Sequence, residues 1–139
     1  PSASSAASDV YKRQELRRDG LEVDRWNRLN PDKPAKQCYI QSQLGNSKTP
    51  IIAVSDNMAA VPDMVRKWMP ENYEVLGTDG FGRSDTREAL RRFFEIDGVA
   101  VTLAALSQLV RKGDIDAKVY QKAVKKFGVS NERIDITEL

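Results

Sequence analysis

A short apolar run that ends in a glycine-rich turn and leads into a capped helix most restricts the fold of this chain. Residues Tyr73–Leu76 predict a buried strand. The turn Gly77–Ser84 that follows contains three glycines. Asp85, with Glu88 three residues later, forms a capping-box pattern, which predicts that a helix begins here. The segment therefore predicts a strand, a tight turn and a helix in succession.

A second strand is predicted at Ile51–Val54, which is apolar, β-branched and bounded by turn residues. Apolar residues spaced three and four apart predict a helix over residues 56–69, with Ser55 or Asp56 as its cap. Pro62 has two interpretations: it lies in the first turn of a helix that starts near Val61, or it kinks a longer helix.

The order strand, helix, strand, helix predicts the α/β class with parallel strands. Two strands make a small sheet, so we expect a partial three-layer domain in which helices flank a short parallel sheet and the first strands are missing. Residues 15–29 predict a further helix, broken or bent near Gly20. A helical C-terminus is predicted by acidic caps and glycine stops, namely Asp97 with Gly113 and Asp116 with Gly128.

The charge balance argues against nucleic acid as the main partner. The 139 residues carry 22 Lys and Arg against 20 Asp and Glu, whereas phosphate binding needs a concentrated basic surface. One basic cluster, Lys122, Lys125 and Lys126, falls on a predicted helix, where a solvated face is the simpler interpretation. No apolar run approaches the roughly 18–20 residues of a membrane span, so we expect no membrane partner.

Histidine is absent, which excludes a Ser–His–Asp triad, a Cys–His dyad and the common zinc sites. Cys38 is the single cysteine, so no disulfide can form within the chain, and we expect a cytoplasmic location. Without a histidine partner, Cys38 is interpreted as a small packing residue.

Residues 1–14 are rich in Ser and Ala and are set aside as a leader. Residues 5–14 resemble translated sequencing adapter, and the alternative is a genuine disordered tail. The predicted domain therefore covers residues 15–139.

Three segments carry a resemblance to a known family: ELRRDGLEVDRWNRLNPDKP at Glu15–Pro34, PIIAVSDNM at Pro50–Met58, and LGTDGFGRSDTREALRRFFEID at Leu76–Asp97. In order and spacing they resemble the C-terminal domain of the homodimeric type of pyruvate dehydrogenase E1 component, a transketolase-like thiamin-diphosphate enzyme. The resemblance extends from Glu15 to about Ile136.

The resemblance implies a parent enzyme with three α/β domains per subunit that acts as a homodimer. Its thiamin diphosphate and Mg²⁺ lie between the first two domains of opposite subunits. There pyruvate is decarboxylated, and the two-carbon unit passes to a lipoyl group on the E2 acyltransferase. The third domain, which this chain resembles, supplies dimer contacts and structural support.

The cofactor motif of that family is a Gly-Asp-Gly followed after about thirty residues by Asn-Asn. Only Thr78-Asp-Gly80 echoes it here, and no Asn-Asn pair occurs in the chain. The resemblance therefore assigns no catalytic, cofactor-binding or metal-binding residue to this sequence, and the chain alone is expected to be inactive.

An alternative function is a stand-alone α/β module that binds phosphate or another small molecule at the glycine-rich turn. Backbone N–H groups before a helix N-terminus favour anions. The candidate residues are Gly77, Gly80, Gly82, Arg83, Ser84 and Thr86. The glycine spacing matches neither a Walker loop nor a dinucleotide fingerprint, and a purely structural turn is the competing interpretation.

Two further possibilities concern charged residues around this turn. Asp79 and Asp85 are an acid pair or Mg²⁺ ligands in one interpretation, and Asp85 is a helix cap in the other. Arg87, Arg91 and Arg92 either meet an acidic partner or the other subunit, or form a solvated face.

Overall fold

The computed structural model describes residues 2–80, 82–130 and 132, with side chains from Lys12 onward. The chain divides into two compact units. Unit 1 contains the residues up to Thr49 together with Ala60–Tyr73, and unit 2 contains Pro50–Ala59 and the residues from Glu74 onward. Each unit is therefore built from two separate stretches of the sequence.

Unit 1 is organised around one long helix, α1, which runs without interruption over Ser2–Leu29. The break predicted near Gly20 is wrong. Gly20 is buried, and a Cβ atom there would lie 2.5 Å from Trp68 Cδ2 and 2.7 Å from Cζ2. The glycine thus allows an aromatic ring to pack directly on the helix backbone, and this contact offsets its low helix propensity. Helix α1 also extends into residues 1–14, whose assignment to a leader stays a prediction.

The core of unit 1 consists of side chains from well-separated parts of the sequence. Cys38, Trp68 and Tyr73 are buried, and Cys38 is a free thiol, so its interpretation as a packing residue agrees with its position. Cys38 directly precedes the short helix α2, Tyr39–Leu44. The Tyr73 hydroxyl donates a hydrogen bond of 2.6 Å to the carbonyl of buried Pro62.

A polar contact near the buried indole joins α1 to a later segment of unit 1. Trp68 Nε1 donates to Asp24 Oδ2 at 3.2 Å, and Lys67 Nζ lies 2.5 Å from the same oxygen. The hydrogen bond from Lys67, assisted by that from Trp68, lowers the pKa of the Asp24 carboxyl from its usual value. The indole N–H is therefore paired although its ring is buried.

The helix predicted over residues 56–69 is much shorter in the structure. Helix α3 covers only Ala60–Asp63, and a 3-10 turn follows at Arg66–Trp68. Pro62 lies in the first turn of α3, so the first of its two interpretations is confirmed. Ser55 and Asp56 do not cap α3; Ser55 Oγ instead accepts a hydrogen bond from Asn57 N. A single long helix does not form, and Asn57 O and Ala59 N instead make hydrogen bonds with Thr78 and Asp79.

The two predicted strands, β1 (Ile51–Val54) and β2 (Tyr73–Leu76), form a short parallel sheet. All of their residues belong to unit 2 except Tyr73, which belongs to unit 1. Helices α4 (Arg87–Phe93), α5 (Gly98–Lys112) and α6 (Ala117–Phe127) follow. Helix α5 packs on β1, and α6 packs on α5. The prediction of a partial α/β domain with a short parallel sheet, flanking helices and a helical C-terminus is confirmed.

Most of the predicted helix ends agree with the structure. Asp97 caps α5 by accepting from Ala100 N, and Asp116 caps α6 by accepting from Lys118 N. Gly113 and Gly128 end the two helices in the left-handed conformation, which glycine adopts without a Cβ clash.

The N-cap of α4 is displaced by one residue from its predicted position. Thr86 is the N-cap, and its hydroxyl accepts from Ala89 N at 3.2 Å. Asp85 instead accepts a hydrogen bond from Thr86 N at 2.7 Å. The capping box predicted from Asp85 and Glu88 is therefore wrong, because the helix begins one residue later than the acidic residue suggests.

Among the described residues, the segment Arg87–Lys112 is long and apolar enough to cross a membrane, judged by length and composition alone. The sequence analysis predicted no such segment. This segment is not one uninterrupted helix. Helix α4 ends at Phe93, Glu95 has a positive φ of 55°, and Asp97 starts α5 as its cap. Leu103 and Ala104 of α5 are buried, and the other residues of this helix are half-buried or exposed.

Candidate functional site

The candidate site lies at the carboxyl ends of β1 and β2, within unit 2. This edge of a parallel sheet is where α/β proteins generally place their ligands. Two loops form it: residues 55–59 follow β1, and residues 77–84 follow β2. We call them the strand-end loops. Phe81, in the second loop, lies outside the described residues.

Hydrogen bonds join the first loop to β2 and to the second loop. Ser55 N donates to Leu76 O (3.0 Å), Thr78 N to Asn57 O (2.9 Å), Thr78 Oγ1 to Asp56 O (2.9 Å), and Ala59 N to Asp79 Oδ1 (3.1 Å). Both side-chain groups in this set, the Thr78 hydroxyl and the Asp79 carboxylate, bind backbone atoms of the other loop. The polar groups nearest to the sheet thus hold the loops together.

The structure explains why two of the three positions in the second loop, Gly77 and Gly80, are occupied by glycine. A Cβ on Gly77 would lie 2.5 Å from Ala59 N and 2.6 Å from Ala59 Cα, so only glycine permits the close approach of the two loops. Gly80 has φ 125°, a conformation that L residues rarely adopt. Gly82 has nothing within 4 Å of its Cβ position. The glycines that the sequence singles out for anion binding therefore serve the backbone geometry in at least two positions.

The polar side chains considered for anion binding at this turn have different surroundings. The Arg83 guanidinium lies 4.3 Å from the centre of the Phe93 ring, a cation–π distance. The Thr86 hydroxyl caps α4, and Ser84 is exposed. Helix α4 has only seven residues. The structure does not bring Arg83, Ser84 and Thr86 together as convergent donors, and their role in anion binding stays a prediction.

Two of the three arginines on α4 have acidic partners within unit 2. Arg91 lies 3.7 Å from Asp56, and Arg92 lies 3.1 Å from Asp97. Arg92 also donates to the carbonyl of Phe127 at 3.3 Å. Arg87 is exposed. The pairing partly neutralises the basic face of α4, and the exposure of all three side chains agrees with the interpretation as a solvated face.

An open cavity of about 450 Å³ lies between the strand-end loops and α4. Both acidic and basic side chains line it. Asp56 and Asp85 are acidic, and Arg83, Arg87 and Arg91 are basic. A second cavity, of about 510 Å³, lies beside β2, α5 and α6 and is lined mainly by apolar side chains such as Leu76, Leu103 and Val124. The sequence does not predict this second cavity, because its lining residues are spread along the chain from Glu74 to Glu132.

The described residues contain no group of three or more His, Cys, Asp and Glu side chains arranged to hold a metal ion. Asp79 and Asp85, the pair considered as Mg²⁺ ligands, each accept a hydrogen bond from a backbone N–H, of Ala59 and Thr86 respectively. Chemically, the site offers hydrogen bonds that stabilise the loops and an exposed surface of mixed charge.

The sheet and the loops at its carboxyl edge define a partial α/β domain. The chain belongs to the transketolase-like TK C-terminal domain family, whose family model matches residues 3–97. The match begins within residues 1–14, and the predicted domain boundary between residues 14 and 15 stays a prediction.

Similar proteins are pyruvate dehydrogenase E1 components of bacteria. The chain is 51% identical over 120 residues to that of Pseudomonas aeruginosa, covering 86% of this chain and 14% of the relative. It is 44% identical over 117 residues to that of Mycolicibacterium smegmatis, covering 84% and 13%. It is 42% identical over 132 residues to that of Escherichia coli, covering 92% and 15%. The chain thus spans about one seventh of the length of these relatives, and the resemblance drawn from its three segments is confirmed.

Proposed function

We propose that this chain serves as the C-terminal-domain part of a pyruvate dehydrogenase E1 component, where it supplies dimer contacts and structural support but no catalytic group. The observation that carries the proposal is the 51% identity to an E1 component along 86% of the chain. The strand-end loops support the non-catalytic role, because their best-placed polar groups, on Thr78 and Asp79, bind the opposite loop.

For the parent enzyme we propose the chemistry that the resemblance implies. It decarboxylates pyruvate with thiamin diphosphate and Mg²⁺ and transfers the acetyl unit to the lipoyl group of E2. Its partners are a second E1 subunit and the E2 acyltransferase, and its location is cytoplasmic. The E1 relatives support this assignment by their shared name and by their similarity to most of the chain.

The residues that the structure describes offer no group that fits the cofactor's metal ion. Mg²⁺ requires oxygen ligands in a nearly octahedral arrangement. No acidic cluster of that kind exists among the described residues, and the chain has no Asn-Asn pair. We therefore propose that domains outside this sequence hold both thiamin diphosphate and Mg²⁺.

A chimeric enzyme tests this proposal. Residues 15–139 replace the matching segment of the Escherichia coli E1 component, and dimer formation is measured by sedimentation and activity by pyruvate-dependent dye reduction. We expect an active dimer, and we expect Gly77→Val in the chimera to weaken both because it separates the strand-end loops. Gly82→Val is the matched control, since its Cβ position is open. An inactive monomer, with the host enzyme itself intact, would contradict the proposal.

Calorimetry on the 139-residue chain tests the non-catalytic role separately. We expect no binding of thiamin diphosphate in the presence of Mg²⁺. Tight binding would show that the chain holds a cofactor site of its own and would contradict the proposed division of roles.

The alternative function is a module that binds phosphate compounds at the strand-end loops. The cavity of about 450 Å³ at the carboxyl edge favours it. It predicts a rise in melting temperature with phosphate compounds that is lost in Arg87→Gln. Gly80→Val is a less selective variant, because the positive φ of Gly80 makes any side chain there strained. A flat thermal-shift response would count against this function.

A further inference from the structure

We draw no further inference here: the strongest candidate, the open cavity of about 510 Å³ beside β2, α5 and α6, carries none because nothing in the structure shows what covers it in a chain that spans about one seventh of the length of its relatives.

Discussion

At the scale of single residues, the interior of unit 1 depends on a few polar contacts that are fully paired. The Tyr73 hydroxyl and the Pro62 carbonyl form a buried hydrogen bond of 2.6 Å, although the two residues are eleven positions apart. Among the described residues, no buried side-chain nitrogen or oxygen lacks a hydrogen-bond partner. Loss of one member of such a pair leaves the other desolvated and unsatisfied, which costs more than the hydrogen bond itself contributes.

Tyr73→Phe tests this contact. We expect the free energy of unfolding to fall by about 1–3 kcal/mol, because the Pro62 carbonyl is left buried and unsatisfied. Urea denaturation followed by tryptophan fluorescence measures the change. Tyr120→Phe is the control, since Tyr120 is only half-buried. Equal stability of Tyr73→Phe and the wild type would show that the hydrogen bond contributes nothing to folding.

The same residue predicts a dependence on alkaline pH. Burial raises the pKa of Tyr73 above its usual value. A group whose folded-state pKa is raised contributes stability that is present below the unfolded-state pKa, about 10, and is lost as pH rises through the folded-state pKa. The stability difference between the wild type and Tyr73→Phe should therefore shrink above pH about 10, in urea titrations at a series of pH values.

At the scale of elements, the helix caps and the strand-end loops set where each segment of unit 2 begins. The caps of α5 and α6 follow directly from Asp97 and Asp116. Helix α4 differs because two neighbouring residues, Asp85 and Thr86, both have side chains that can cap. The backbone at Thr86 is extended, with φ −63° and ψ 154°, and this residue takes the cap position.

Thr86→Ala should destabilise unit 2 by about 1 kcal/mol, because Ala89 N then loses its capping acceptor. Ser84→Ala, an exposed position in the preceding loop, should have little effect. Thermal denaturation followed by circular dichroism compares the two variants. A larger loss in an Asp85→Ala variant than in Thr86→Ala would assign the cap to Asp85 instead.

Gly77→Ala should destabilise the strand-end loops by about 1–3 kcal/mol, since the added methyl would overlap the Ala59 backbone, which cannot move without breaking the loop hydrogen bonds. Gly82→Ala, with open space around its Cβ position, is the matched control. Hydrogen exchange at Thr78 N, which donates to Asn57 O, reports the separation of the loops directly. Unchanged protection in Gly77→Ala would contradict the close approach.

At the scale of the whole molecule, the chain passes between the two units three times. It leaves unit 1 after Thr49, returns at Ala60 and leaves again after Tyr73. Both tryptophans, Trp26 and Trp68, belong to unit 1, whereas α4, α5 and α6 belong to unit 2. Because short stretches of backbone connect the units at each crossing, we expect their unfolding to be coupled.

Gly20→Ala tests this coupling. The added methyl would overlap the Trp68 ring and should lower stability by about 1–3 kcal/mol, despite the better helix propensity of alanine. Tryptophan fluorescence, which reports unit 1, and hydrogen-exchange protection at Thr78 N, which belongs to unit 2, should change together. Gly98→Ala, with nothing near its Cβ position, is the control. A change in fluorescence stability without a matching loss of protection at Thr78 N would show that the units unfold separately.

The sequence by itself determined the features that depend on neighbours along the chain, as well as the family. The strands at Ile51–Val54 and Tyr73–Leu76, and the glycine stops at Gly113 and Gly128, follow from local pattern and backbone preference. The sequence segment Leu76–Asp97, at the end of the second strand, also identified the family correctly. These features were predictable because their causes lie within a few residues of each position.

Only the tertiary structure decided the roles of residues whose partners lie far away in the sequence. Gly20 reads locally as a helix breaker, yet its lack of a side chain makes room for Trp68. Gly77 reads as part of an anion-binding turn, yet it permits contact with the Ala59 backbone. Apolar spacing predicts one helix over residues 56–69, whereas Asn57 and Ala59 bind the second strand-end loop and α3 begins only at Ala60. Local propensities of about 1 kcal/mol per residue are outweighed where burial and steric exclusion contribute more.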